Sequence, residues 1–362
     1  MTAKVAAAEE SPAKTTNNLI TEKTFNNMAN ITAADVNKLR QETGIGMMDC
    51  KKALVEADGD FEKARDILRK KGQKVAAKRA DRSSNEGRII AKTNADKTKG
   101  YMLVMACETD FVGKGEEFVN FTDSVLDKAM AADIKTKEDL LNMDVNGMKV
   151  SEKLIELTGK TGEKIECPDY QVLEAGYVDA YNHMGNHKAT LVGFNKGGEK
   201  VAEVAHNVAM HITAMAPVAL DENAIPQDVK DNELTVGIEK TRLEMIQRAV
   251  DSALHKAGIN PAHVDSDDHI NSNMAKGWIT EEQAELARKI KVEEAEKAAA
   301  NLNEKQIQQI AQGRLVKFFK ESTLTYQPIV MGSDGKESVG DYIKRMEKGL
   351  ECTGFIRRQI GE

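Results

Sequence analysis

The sequence predicts an α+β protein with a small helical domain on its N-terminal side and a long helical arm near its C-terminal side. A pattern of strand, turn, strand and helix occurs twice, in residues 87–172 and 173–227, which predicts two subdomains with antiparallel sheets. Short amphipathic helices are predicted within 31–72, and long polar helices with narrow apolar seams within 228–310. Residues 311–362 are expected to close onto the core.

Composition and charge limit the classes of protein that the chain can represent. Its 362 residues suffice for two or three domains, and 41% apolar with 30% charged residues is typical of a globular protein. The net charge of -7 argues against a protein that mainly binds nucleic acid, so we expect no direct nucleic-acid partner. No apolar run reaches the length of a membrane span, so no membrane partner is expected either.

The cysteines are scattered singly, without a Cys-x-x-Cys pair. This spacing favours a reducing, cytoplasmic compartment and predicts no disulfide framework, no metal site and no cofactor. The cysteines are Cys50, Cys107, Cys167 and Cys352.

Residues 1–30 contain no apolar block and contain acidic side chains, which is unlike a secretory signal or a transit peptide. We expect a disordered tail. Met28 directly precedes the first predicted helix and is an alternative start of the chain, which mass spectrometry of the native protein would decide.

The N-terminal helical domain begins with a predicted N-cap at Thr32, with Asp35 three residues later. Gly44-Ile-Gly46 ends the first helix, and Gly59-Asp60 separates the second from the third. A lone Gly-x-Gly with no strand before it does not support a phosphate loop.

A basic segment, Arg69 to Arg82, follows and overlaps a predicted linker at 73–86. One interpretation is a solvent-exposed linker helix. The other is contact with an acidic partner surface or with RNA, although no aromatic residue lies in the segment to stack on bases. The alternative function left open here is an RNA- or ribosome-associated adaptor.

The first repeat contains the segment 101–113, on which the main functional prediction rests. Residues 101–107 alternate between two apolar faces, so both faces of this strand are expected to be covered. The strand then ends in Glu108-Thr-Asp-Phe-Val112. Either Phe111 turns into the core and Asp110 caps the following helix, or both side chains stand at a loop tip and insert into a partner.

No catalytic motif emerges from the remaining residues. His183 and His187 have a spacing that suits a metal on a helix, but Gly185 and Asn186 between them predict a turn. The sequence also contains no nucleophile elbow, Walker loop or dinucleotide fingerprint. An interaction protein is therefore favoured over an enzyme.

Several segments resemble a known family. Thr43-Gly-Ile-Gly-Met-Met-Asp-Cys-Lys-Lys-Ala-Leu54, together with Glu108-Thr-Asp-Phe-Val112, is similar to the bacterial elongation factor Ts family, and 325–331 and 352–357 resemble its C-terminal motifs. The resemblance begins near Ile31 and continues to the end of the chain. It implies a three-helix domain like the ubiquitin-associated (UBA) fold, a two-part α+β core and a coiled-coil arm.

The resemblance also implies a function and its residues. Members of this family exchange guanine nucleotide on the GTPase elongation factor Tu. Asp110 and Phe111 would displace the magnesium ion of that GTPase, and Thr109 and Val112 complete the motif. Further contacts with the GTPase are implied for Lys51, Gly162 and His183. A homodimer formed through the arm is left open.

Overall fold

The computed structural model describes residues 31–332 and 335–362. The predicted disordered tail and the alternative start at Met28 lie outside the described residues. Within the described ranges the fold is mixed α+β with small antiparallel sheets, which confirms the predicted fold class. The chain divides into two compact units, one running to Thr213 and including Gly354–Glu362, the other formed by Ala214–Thr353.

The first unit opens with three helices, α1 (Ala33–Thr43), α2 (Met47–Glu56) and α3 (Phe61–Arg79). Thr32 caps α1 in a capping box with Asp35, as predicted. The helices share a small apolar core: Val36, Leu39, Cys50, Ala53, Leu54, Ala57, Ala64 and Leu68. Helix α3 continues unbroken past residue 72, so the predicted linker is helical as far as Arg79. The likeness to a UBA fold stays a prediction.

The sheets of the first unit follow. In chain order the elements are β1 (Glu86–Thr93), β2 (Lys99–Cys107), α4 (Asp110–Gly113), α5 (Glu116–Ala131), α6 (Lys137–Asn142), β3 (Asp144–Val145), β4 (Met148–Lys149), α7 (Val150–Thr161), β5 (Ile165–Glu174), β6 (Tyr177–Asn182), β7 (Lys188–Phe194) and α8 (Glu199–Met215). The predicted repeat of strand, turn, strand and helix is confirmed in both places.

Strand β2 is the centre of this unit. It lies between β1 and β5 in an antiparallel sheet, with Tyr101 opposite Lys92 and Val172. Leu103 and Met105 face a core shared with α5 and α7, whereas the alternate residues face a second sheet of β6, β7 and β8 (Cys352–Gln359). Both faces of the strand are therefore covered, as predicted.

The second unit is mainly helical. Its helices are α9 (Gln227–Lys256), α10 (Asp267–Ala275), α11 (Glu281–Ala300), α12 (Glu304–Ser322) and α13 (Val339–Met346). Helix α9 packs along both α11 and α12. Arg242 and Arg314 form ion pairs with Glu304 and Glu244, at 2.7 and 2.5 Å, which join α9 to α12.

This arrangement corrects one detail of the predicted arm. The sequence suggested a hairpin of two long helices, whereas α12 lies against α9 as a third. The reason is that small residues let α12 approach α9 closely: a Cβ on Gly237 of α9 would lie 3.6 Å from Ala311 of α12. Coiled-coil character, self-association and the predicted domain boundaries stay predictions.

The C-terminal motifs differ in structure. Residues 325–331 contribute to a 3-10 turn, Leu324–Tyr326, and an isolated bridge between Pro328 and Ser338, whereas 352–357 lie in strand β8. No disulfide joins any of the four cysteines, all of which lie within the described ranges. Across the described ranges no helix has both the length and the apolar character that crossing a membrane requires.

Candidate functional site

The candidate site is the loop that leaves the C-terminal end of β2. Phe111 is 86% exposed, on the single turn of helix α4. The carboxylate of Asp110 accepts a hydrogen bond from Lys114 at 2.7 Å, and Gly115, not Asp110, is the N-cap of α5. Of the two interpretations left open by the sequence, the one in which Phe111 enters the core and Asp110 caps the next helix is therefore excluded. Val112 is the residue of this turn that packs against the core, and Phe111, about 100° further round the helix, faces solvent.

Asp110 is a fixed negative charge beside this ring. The side chain of Lys114 donates to it and carries the opposite charge, and both effects lower the pKa of Asp110. The carboxylate is consequently ionised at neutral pH. The site thus presents an apolar ring and an anion on adjacent residues.

The base of the loop is anchored inside the protein. Val112 packs against the core between the first sheet and α5. A Cβ on Gly113 would lie 3.3 Å from both the Cys107 Sγ and the backbone of Gly87, so glycine permits this close approach. The Cys107 thiol donates to the Thr109 carbonyl at 3.1 Å. These contacts hold the root of α4 while its tip stays exposed.

Thr109 is held by a carboxylate from another part of the chain. Its backbone N–H and its hydroxyl donate to the two oxygens of Glu163, at 3.1 and 2.8 Å. Gly162 ends α7 with a left-handed φ of 73°, and Glu163 follows it directly. The predicted contact residue Gly162 therefore lies next to the residue that fixes the loop.

Glu108 forms a second link at the same place. Arg79 Nη1 donates to both oxygens of Glu108, at 3.0 and 2.9 Å, and the backbone N–H of Lys164 donates at 2.7 Å. The Lys164 N–H and then Arg79 lower the pKa of Glu108, so this carboxylate is ionised at neutral pH. Arg79 is the last residue of α3, so the N-terminal helices are joined directly to the loop.

Lys51 lies on the exposed side of α2, away from the small core of the three helices. Met48, one turn earlier, is 65% exposed. A cation and an exposed apolar side chain therefore lie on one turn of α2. Sequence reasoning singled out the lysine and missed the methionine, because a methionine beside buried positions is usually part of the core.

His183 lies on a separate element, the turn between β6 and β7. Its Nδ1 is 3.1 Å from the Tyr181 hydroxyl, and Gly185 has a left-handed φ of 80°, as the predicted turn requires. Met184 is 89% exposed beside it and was also missed. No group of three metal-ligating side chains is found among the described residues.

The structure brings some of the predicted residues together and leaves others apart. Thr109–Val112 and Gly162 meet around Glu163, whereas Lys51 and His183 each stand on their own element. Sequence reasoning missed Arg79 and Glu163, which lie 29 and 54 residues from their partners. No local pattern connects residues so far apart in the chain.

Comparisons with known proteins identify the family of the chain. A family model described as "Elongation factor TS" matches residues 108–362. Elongation factor Ts of Parabacteroides distasonis is 46% identical over 328 residues, which cover 90% of this chain and 98% of that protein. The protein of the same name from Christiangramia forsetii is 40% identical over 92% of this chain and 100% of its own length. That of Amoebophilus asiaticus is 37% identical over 91% and 99%, respectively. Because the family model matches more than half of the chain and these relatives match over nearly their whole length, the chain belongs to the elongation factor Ts family of translation factors.

Proposed function

We propose that the protein is a guanine nucleotide exchange factor for the GTPase elongation factor Tu and acts in the cytoplasm. The observation that carries the proposal is the exposure of Phe111 on a loop whose base is buried and hydrogen-bonded. A free protein gains nothing from a solvated aromatic ring at this position. A partner that buries the ring would gain about 1.5–3 kcal/mol of apolar transfer free energy.

The proposed mechanism acts on the magnesium ion of the GTPase. Backbone donors, a lysine and this ion hold the nucleotide phosphates in such a GTPase. Phe111 displaces packing near the ion, while the charge of Asp110 competes for donors and repels the acidic groups and phosphates nearby. Loss of the ion removes the largest positive charge that holds the phosphates. No covalent bond is made or broken, so the protein is not an enzyme in this proposal.

Thermodynamic linkage constrains the affinities of an exchange factor for the two forms of the GTPase. It binds the empty GTPase more tightly than the GDP-bound form, and the factor by which it weakens GDP binding equals the factor by which GDP weakens its own binding. In the free protein Asp110 is paired with Lys114. Asp110 must leave this ion pair when it enters the partner. This exposed ion pair is readily exchanged for new partners.

The test measures release of a fluorescent GDP analogue from purified elongation factor Tu in a stopped-flow instrument. Substoichiometric amounts of the protein should accelerate release and turn over repeatedly. Excess magnesium should slow the accelerated reaction. A release rate that does not respond to the protein would refute the proposal.

No observation favours the alternative, an RNA- or ribosome-associated adaptor that uses residues 69–82. Arg79 of this segment is engaged within the protein by the half-buried carboxylate of Glu108. RNA binding that weakens steeply with salt would support the adaptor instead. The homodimer through the arm is tested separately by the sedimentation of the full chain over a range of concentrations.

A further inference from the structure

We propose that Glu163 and Glu108 are positioning residues of the exchange loop, residues 109–113, and that Arg79 extends this positioning to the N-terminal helices. The inference rests on the proposed function, in which Phe111 and Asp110 enter the GTPase. It concerns residues that do not themselves face the partner but fix the direction in which Phe111 and Asp110 point.

Thr109 fixes the start of the exchange loop. A threonine at a helix N-cap ordinarily accepts a hydrogen bond from the backbone of the first turn. Thr109 is the N-cap of α4 but makes no such bond. Its hydroxyl and its backbone N–H both donate to Glu163 instead, so one carboxylate fixes the main chain and the side chain of this residue. The turn that carries Phe111 starts from this fixed point.

Glu108 links the exchange loop to the N-terminal helices. This carboxylate is 16% exposed and binds Arg79 and the Lys164 N–H, and hydrogen bonds with charged partners are stronger and shorter than neutral ones. Arg79 ends the helix that packs against α2, where Lys51 lies. The packed helices α2 and α3 therefore join the predicted contact at Lys51 to the base of the exchange loop.

The two helices that support the exchange loop pack closely against each other. Arg79 comes from α3, and Glu163 follows α7. A Cβ on Gly159 of α7 would lie 2.7 Å from the Cα of Gly72 of α3. The helix backbones touch at this point, so both carboxylate contacts are held by one rigid frame. A preorganised frame of this kind keeps a functional side chain in its productive direction.

The main test compares Glu163→Gln and Thr109→Val in the fluorescent-GDP release assay, in the full-length chain. Each should lower the limiting release rate about tenfold and change the half-saturating concentration by less than about twofold. The double variant should be slower than either single variant by much less than the product of their effects, because both disturb the bond between the Thr109 hydroxyl and Glu163. Thr109→Ser should recover most of the rate that Thr109→Val loses. Glu166→Gln is the matched control, since this carboxylate pairs with the side chain of Lys164 and not with the loop.

Arg79 is tested by two substitutions in the same assay. Arg79→Ala should lower the limiting rate severalfold, and Arg79→Lys should retain most of it, because a single nitrogen of Arg79 makes both contacts with Glu108. Arg69→Ala, on the same helix and paired with Asp66, is the control and should leave the rate unchanged. A rate that is equally insensitive to all three substitutions would refute the role of Arg79.

The outcomes separate this inference from the proposed function. If the unmodified protein does not accelerate release, the exchange function itself fails. If it does, and Phe111→Ala is slow while Glu163→Gln and Thr109→Val are normal, only the positioning role is overturned. Effects confined to the half-saturating concentration, or additive effects in the double variant, would also overturn it. If Glu163→Gln fails to fold, the release rate of Thr109→Val alone tests the positioning role, because valine keeps the shape of the threonine side chain and removes only its hydroxyl.

Discussion

Replacing Phe111 with alanine should separate exchange from stability. The ring is 86% exposed in the free protein, so the substitution removes little buried area and should leave the thermal midpoint nearly unchanged. In the complex the same substitution removes about 1.5–3 kcal/mol of apolar transfer free energy from the state that releases GDP. At a factor of ten per 1.4 kcal/mol, the accelerated release rate should fall roughly 10- to 100-fold.

The assay is stopped-flow release of a fluorescent GDP analogue at saturating protein, with differential scanning calorimetry of the same samples. Phe118→Ala is the matched control, because Phe118 is 3% exposed in the core behind the loop. That substitution should lower the free energy of unfolding by about 3–5 kcal/mol. Phe111→Leu, which keeps most of the apolar area, should give an intermediate release rate.

Two results would refute the reasoning about Phe111. An unchanged release rate in Phe111→Ala would mean that the ring does not enter the partner. A loss of stability as large as that of Phe118→Ala would mean that the ring is buried in the free protein.

Three further predictions concern other parts of the chain. Lys51→Ala should raise the half-saturating concentration about two- to fivefold with little change in the limiting release rate, and this difference should shrink at high salt, because an exposed charge acts mainly on association. Burial raises the pKa of Cys107 to about 12, so this thiol should react slowly with iodoacetamide at pH 8. Peptide mapping should show that the half-buried Cys352 is modified before Cys107. Rapid labelling of Cys107 in the native protein would contradict its burial. Gly159→Ala should lower the free energy of unfolding by about 1–3 kcal/mol in urea titrations, because its Cβ would meet Gly72; alanine otherwise favours a helix, so a gain in stability would show that the helices are not in close contact.

Much of the fold could be predicted because its signals are local. The alternation of residues 101–107 predicts a strand covered on both faces, and the capping residues Thr32 and Asp35 predict where α1 begins. The β6–β7 turn followed in the same way from Gly185 and its neighbours. The third long helix against α9 was missed, because its packing depends on contacts such as Arg242 with Glu304, which are 62 residues apart.

The candidate site could also be predicted from the sequence only in part. The motif Glu108–Val112 marked the loop, and the order of its residues placed a carboxylate beside an aromatic ring. Whether Phe111 pointed inward or outward could not be read from that order, since both directions suit a short turn after a strand. The supports Arg79 and Glu163 carried no local signal at all.

The sequence by itself determined the kinds of element, their order and the chemistry of the exposed loop, because these depend on neighbouring residues and on residue type. Only the tertiary structure decided that Phe111 faces solvent, and that α3 and α7 supply the charged groups that hold its loop. The physical reason is that a one-turn helix can bury only one side of itself. Which side is buried depends on the distant residues that pack and hydrogen-bond around it, here the core against Val112 and the carboxylate of Glu163.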